Sequence, residues 1–352
     1  MSRFSGQGQG VRQLAGIALF AVVVACLPLV TSSGAALNFV MMALYATLMA
    51  QAWNILGGFG GQFSFGHALF FGTGAYIQAI AQLQGGINPW LALPLAVASS
   101  AAVGLFVGGL SFRYGLKGSY FALVTLAFAE VFRIVALSVP FTGGGVGLMV
   151  PLRESVANMQ FATRAGSLWL MLGFVVTALL VTWWLRNGRF GAYLQAVRDN
   201  EDAARAVGVN PFRIKLAAIG ISAAFMGAAG AFYVQVFQYI DPAIAYGSLT
   251  SVEALVAAIV GGMGTLWGPV LGALALHLLA DVTRNLFGQL PGINMVIYGV
   301  VLVAIVIFLP RGIAGIGLSV RQLWAGSGGG DSGGKSDGKE SGKESGEGSR
   351  ND

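Results

Sequence analysis

Residues 166–236 read GSLWLMLGFVVTALLVTWWL, then RNGRFGAYLQAVRDNEDAARAVGVNPFRIK, then LAAIGISAAFMGAAGAFYVQV. The outer two stretches are apolar for about twenty residues each, which is what a helix needs to cross the roughly 30 Å core of a bilayer. The middle stretch, 186–215, carries six cations (Arg186, Arg189, Arg198, Arg205, Arg213, Lys215) and three acids (Asp199, Glu201, Asp202). A chain patterned in this way threads a membrane, and the polar stretch is a loop that emerges from it.

The rest of the sequence repeats the pattern. Of its 352 residues, 56% are hydrophobic and 10% charged, with a mean hydropathy of +0.74. A soluble protein carries about 25% charged residues. Ten of the 34 charged side chains fall in the last 22 residues. Ten apolar segments follow one another at roughly 14–30, 36–56, 67–83, 90–111, 119–139, 167–185, 216–236, 247–264, 268–284 and 293–309. The predicted class is an all-α polytopic membrane protein with about 8–10 transmembrane helices. The first segment follows Arg3 and Arg12 and reads as a retained signal-anchor.

Orientation comes from the loops. With a cytoplasmic N-terminus, residues 1–13, the inside loops collect Arg113, Lys117, the cations of 186–215, Arg311 and Arg321, whereas the outside loops hold Arg153 and Arg164, with Arg284 at a span end. This is the positive-inside bias, and it places both termini in the cytoplasm. From about Ala325 the chain is Gly/Ser/Lys/Glu-rich, and 325–352 is expected to be a disordered cytoplasmic tail. It contains a Gly329-x-x-x-x-Gly334-Lys335-Ser336 match to a phosphate-binding loop. That motif works only between a strand and a helix, and neither flank suits one.

Other chemistry is thin. The single cysteine, Cys26, and two histidines, His67 and His277, have no metal-ligand spacing, and no catalytic motif stands out. We expect a non-enzymatic chain without cofactor or metal, with membrane lipid around it and no nucleic-acid partner.

Two features suit transport. Residues 57–66, GGFGGQFSFG, hold five glycines in ten positions, and GGMGTLWGPVLG at 261–272 has the same character. Non-helical backbone at membrane depth must be buried in protein or line a cavity, and paired interruptions point to a solute pathway. Close packing through small residues is the equal alternative. The candidate pathway residues are Gly60, Gly61, Gln62, Ser64 and His67, together with the intramembrane charges Glu130, Arg133 and Glu253. Glu130 and Arg133 stand one turn apart, as do Asp281 and Arg284. Each pair is read either as self-neutralising or as facing a cavity.

The second feature is in the loop. Asn200 is a good N-cap, Glu201 and Asp202 put negative charge in the first turn, and Gly208 followed by Asn210-Pro211 ends the helix. A two-turn helix is unstable alone, so it either docks or is a solvated connector. Here Asp202-Ala203-Ala204-x-x-x-Gly208 resembles the E-A-A-x-x-x-G loop of ATP-binding-cassette importer permeases, whose coupling helix sits in a groove of the ATPase. The stretches 50–76 (AQAWNILGGFGGQFSFGHALFFGTGAY), 116–148 (LKGSYFALVTLAFAEVFRIV…TGGGVGL) and 257–274 (AAIVGGMGTLWGPVLGAL) resemble the branched-chain amino acid permeases of LivM type. The likeness covers residues 36–318. It departs from the general motif in having Asp for Glu and no Leu-Pro after the helix.

The resemblance implies a permease domain over 14–318 with a cytoplasmic coupling loop at 186–215. The ATPase-coupling residues would be Arg198, Asn200, Glu201, Asp202, Ala203, Ala204, Arg205 and Gly208, with Arg198, Arg205 and Arg213 pairing with acids of the ATPase and Ala203 and Ala204 allowing close approach. It also implies a homologous second permease, cytoplasmic ATPases and an extracytoplasmic substrate-binding protein, the last meeting the outside loop at 140–166. The setting would be a bacterial inner membrane. The rival readings are an ion- or proton-coupled secondary transporter, and a urea or short-amide importer permease or channel.

Overall fold

The apolar runs become helices, and polar or proline-bearing junctions start them. In a computed structural model describing residues 3–287, 296–297, 299–300, 303 and 312–314, α1 spans Arg3–Val30, α2 Gly34–Asn54, α3 His67–Leu83, α4 Pro89–Arg113, α5 Gly118–Ser138 and α6 Arg164–Asn187. Then come α7 (Arg189–Asp199), α8 (Glu201–Ala206), α9 (Pro211–Phe237), α10 (Pro242–Tyr246), α11 (Ser248–Gly261) and α12 (Gly268–Phe287). Three starts share one device. Asn88, Asn210 and Asp241 cap helices whose first residue is proline. The cap oxygen accepts a backbone N–H that the helix leaves free, and proline has no N–H to lose there.

The all-α polytopic class holds. Among the described residues, seven helical stretches are long and apolar enough to cross a membrane. Strand among the described residues is a two-residue ladder, β1 (Leu148–Met149) against β2 (Tyr239–Ile240), antiparallel with Leu148 opposite Ile240, beside an isolated bridge between Ser155 and Gln160. The expected segment at 247–264 becomes a 14-residue helix, α11, preceded by the single-turn α10. The expected segment 293–309 lies mostly outside the described residues, and the tail 325–352 with its phosphate-loop lookalike lies wholly outside them.

Helix α9 is the most enclosed of the seven. It packs on α3 and α4 through glycine seams: a Cβ at Gly74 would strike the Gly227 backbone, and one at Gly104 the Ala223 side chain. With no hydrophobic drive between helices in lipid, such close approach supplies the dispersion contacts that hold them.

The alternation of helices puts loops 60–66, 114–117, 188–210 and 262–267 at one end of the bundle, and contacts join all four there. The other end holds 31–33, 84–88, 139–163 and 238–247. At that end the long 139–163 loop is pinned by the ladder, by Asn88 donating to the Ala157 carbonyl (3.0 Å) and by the Trp90 indole donating to the Val156 carbonyl (2.8 Å).

Candidate functional site

The polar loop folds into two helices where the sequence suggested one. The first, α7, was not anticipated. It buries Gly191, Leu194 and Val197 at a three-residue spacing, a signal present in the sequence but drowned by its charges. The second, α8, matches the expected bounds. The Asn200 Oδ1 accepts from the Asp202 and Ala203 N–H groups, both at 3.0 Å. Gly208 takes φ +87°, its N–H donating to the Arg205 carbonyl at 3.0 Å. An ordinary side chain is strained there.

What seats α8 is a charge cluster around Glu201. Its Oε2 accepts from the Lys215 Nζ of α9 at 2.7 Å and lies 2.9 Å from the Lys117 Nζ of the α4–α5 loop. Lys215 is 3% exposed and its ammonium lies 5.7 Å from the centre of the Phe112 ring, so a buried cation is paired and also faces an aromatic. Burial pushes the Glu201 carboxyl up, but hydrogen bonds and charges from Lys215 and Lys117 outweigh it and hold it below the usual carboxylate value. In the sequence Glu201 is legible as a first-turn charge, and nothing local connects it to either lysine.

The arginines behave differently from expectation. Arg205 pairs within its own helix, 3.5 Å from Glu201 and 3.6 Å from Asp202. Arg198 turns inward, its Nη1 donating to the Gly58 carbonyl at 3.1 Å while its Nε meets Asp199 at 3.1 Å. Only Arg213 of the three stays exposed without an ion pair among the described residues. Ala204 also faces inward, 3% exposed, so it seats the helix on its own bundle. The outward face of α8 carries Asp202, Ala203, Arg205 and Ala206, with Val207 next to it at 79% exposure.

Arg198 leads to the two glycine-rich interruptions. Helix α2 does not stop at Gly57 as expected. It widens into a π-turn over Ile55–Phe59 and ends at Gly60. Gly61 then reverses the chain at φ +65° with the Arg198 Cγ where its Cβ would stand. The second interruption, 262–267, lies against the first. Asn54 Nδ2 donates to the Thr265 carbonyl (3.0 Å), its Oδ1 accepts from the Gly264 N–H (2.8 Å), and Gln51 donates to the Leu266 carbonyl (2.7 Å). Two amide side chains of α2 therefore satisfy the backbone that a broken helix leaves open. Their sequence signal is an Asn and a Gln in an apolar run just before the glycines, a signal absent from the candidate residues above.

The structure places Gln62, Ser64 and His67 within packed protein. Ser64 and His67 are fully buried and Gln62 is 7% exposed. The His67 Nε2 is 2.9 Å from the Ser222 hydroxyl, which donates to the Ala52 carbonyl at 2.6 Å, and the Trp53 indole donates to the Ser64 carbonyl at 2.9 Å. Glu130 and Arg133 lie further along α5, whose Thr125 hydroxyl accepts from the Phe65 N–H beside this cluster at 3.2 Å. They form a two-bond ion pair on α5 with their side chains 51% and 31% exposed. Glu253, one turn into α11, is exposed as well.

A helical bundle with two interruptions clasped together at one end, under a capped two-turn helix, is the frame in which likeness to other proteins acquires meaning. The family model described as branched-chain amino acid transport system / permease component matches residues 35–306. The chain belongs to that family. It is a multi-pass membrane permease and not an enzyme. Its relatives include the high-affinity branched-chain amino acid transport system permease protein LivM of Salmonella typhimurium, 29% identical over 330 residues, 87% of this chain and 76% of the relative. The LivM protein of Escherichia coli is 28% identical with the same coverage. LivH of Salmonella typhimurium, also a permease protein of the high-affinity branched-chain system, is 23% identical over 299 residues, covering 79% of this chain and 94% of that one.

Proposed function

We propose that the chain is the LivM-type permease subunit of an ATP-driven importer for branched-chain amino acids or related small polar solutes, with ATP hydrolysed in a separate cassette ATPase. One observation carries the coupling. Helix α8 is too short to stand alone, yet it is capped at both ends and tied through Glu201 to Lys117 and Lys215 and, two residues before its cap, through Arg198 to the clasped interruptions. A push on its outward face at Ala203, Ala206 and Val207 therefore moves α9, the α4–α5 loop and both interruptions together. In this reading α8 and residues 186–215 face the cytoplasm, as do 1–13 and 325–352, with 14–318 as the permease domain. A second permease subunit of the same family and an extracytoplasmic binding protein complete the assembly. The pinned loop at 140–166, with exposed Phe141, Val146, Met149 and Leu152, is the docking place for the binding protein.

The test is reconstitution of the assembly copurified with this chain. ATP-dependent leucine uptake that Val207→Asp abolishes, with the permease still inserted and folded, supports coupling through α8. Ala204→Trp is a poorer probe, because it displaces the helix from its own seat. Uptake driven by a proton gradient with no ATPase present favours a secondary transporter instead.

A further inference from the structure

Two charged side chains lie where lipid cannot solvate them. Helix α5 has 21 residues, about 31 Å at 1.5 Å per residue, and Glu130 lies about 18 Å along it. That is close to the middle of a bilayer core. Around the Glu130–Arg133 pair the exposed face of α5 is apolar: Leu123, Val131 and Ile134 are each more than half exposed. The exposed faces of α4 and α6 carry Leu95, Leu105, Phe106 and Leu180, which suit lipid. Charges at this depth face protein or a water-filled cavity, and nothing among the described residues covers this pair. The interior offers no rival passage at Gln62, Ser64 and His67, which are enclosed by packed neighbours.

We propose that the Glu130–Arg133 pair is a membrane-depth subsite for the two charges of a zwitterionic amino acid, in a passage closed on its other side by a second permease subunit lying along α5. This rests on the importer reading above and adds the place and chemistry of its passage. The guanidinium presents paired N–H donors that match a carboxylate, and the carboxylate accepts an ammonium. In the empty state the two groups satisfy each other, so no buried charge is left uncompensated. A passing solute exchanges that one internal pair for two pairs of the same kind. Such an exchange holds the solute without trapping it.

The test uses the copurified assembly in proteoliposomes, with leucine as the probe and ATP on the α8 side. Glu130→Gln, Arg133→Gln and the double variant are compared for maximal uptake rate, basal ATPase activity and subunit copurification. The expected result is at least a tenfold loss of uptake in all three, with ATPase activity and assembly unchanged. A pair that merely neutralises itself gives the opposite pattern, in which the double variant recovers wild-type uptake, and that outcome overturns the subsite. The covering subunit is tested separately, in a Cys26→Ser background. Ile134→Cys should cross-link to the second permease, while Leu105→Cys on α4 should not. Labelling of Ile134→Cys only by a lipid-dissolved reagent overturns the seam. If the wild type takes up no leucine with ATP, both this inference and the importer reading fall. If it does and the double variant equals it, the subsite alone falls.

Discussion

Two regions of this molecule hold charge in opposite ways. At the α8 end, Glu201 meets three cations and Arg198 is spent on a carbonyl and a neighbouring aspartate. On α5, Glu130 and Arg133 have only each other and stand half in the open. The first arrangement converts charge into mechanical connection between elements. The second leaves a self-contained ion pair partly exposed on the outer face of one helix. Substitutions should separate these two uses, because the first set will act on folding and coupling together and the second on solute passage alone.

The largest effect on stability is expected at Glu201→Gln. It leaves the buried Lys215 ammonium without its carboxylate, and breaking a buried pair from one side costs on the order of 3 kcal/mol. Thermal unfolding in detergent should fall by several degrees, with ATP-coupled uptake lost as well. If stability is untouched, the cluster is not what seats α8.

Next comes Asn54→Leu, which removes both bonds to the second interruption and leaves the Gly264 N–H and the Thr265 carbonyl open. The cost of such orphaned groups is about 1–3 kcal/mol, and hydrogen exchange at 262–267 should speed up. Arg198→Ala removes one charge-assisted bond to the Gly58 carbonyl, about 1.5–3 kcal/mol at most and less here because the side chain is partly exposed. It should lower uptake per ATP hydrolysed more than it lowers stability. That ratio is the quantity to measure.

Acid provides a graded version of the same break. The folded Glu201 carboxyl is held below its ordinary value of 4.5, so its contribution is complete at neutral pH and fades as pH falls through the lowered value. Stability of the α8 seat should therefore decline below about pH 4.5, and Glu201→Gln should flatten that limb. The smallest effect is expected at Arg205→Ala, whose exposed pairs within α8 contribute about 0.5 kcal/mol or less. A large loss there would mean that Arg205 faces a partner.

Much of the frame could be read before any coordinates. Periods of apolar length located most of the helices, the Asn200 and Gly208 signals delimited α8, and the glycine runs marked both interruptions. Side-chain partners were not legible. Arg198 looked like a docking cation and is instead folded onto Gly58, and Ala204 looked like a contact surface and is instead the buried side of its helix. The break expected at Gly57 came later because a π-turn keeps the backbone hydrogen-bonded through Phe59, which satisfies groups that an abrupt end would expose.

The sequence by itself determined that the chain spans a membrane many times, where the capped helix lies, and to which permease family it belongs. The first two depend on local periodicity and short-range hydrogen bonding, and the third on the identity of the motif residues themselves. Only the tertiary structure decided that Glu201 closes on Lys117 and Lys215, that Asn54 clasps the two interruptions together, and that Glu130 and Arg133 are left facing outward. Those pairings join residues from 14 to 211 positions apart or depend on which side of a helix its neighbours cover. Neither is encoded in any local stretch, because each is the outcome of helices packing as tightly as their glycines allow.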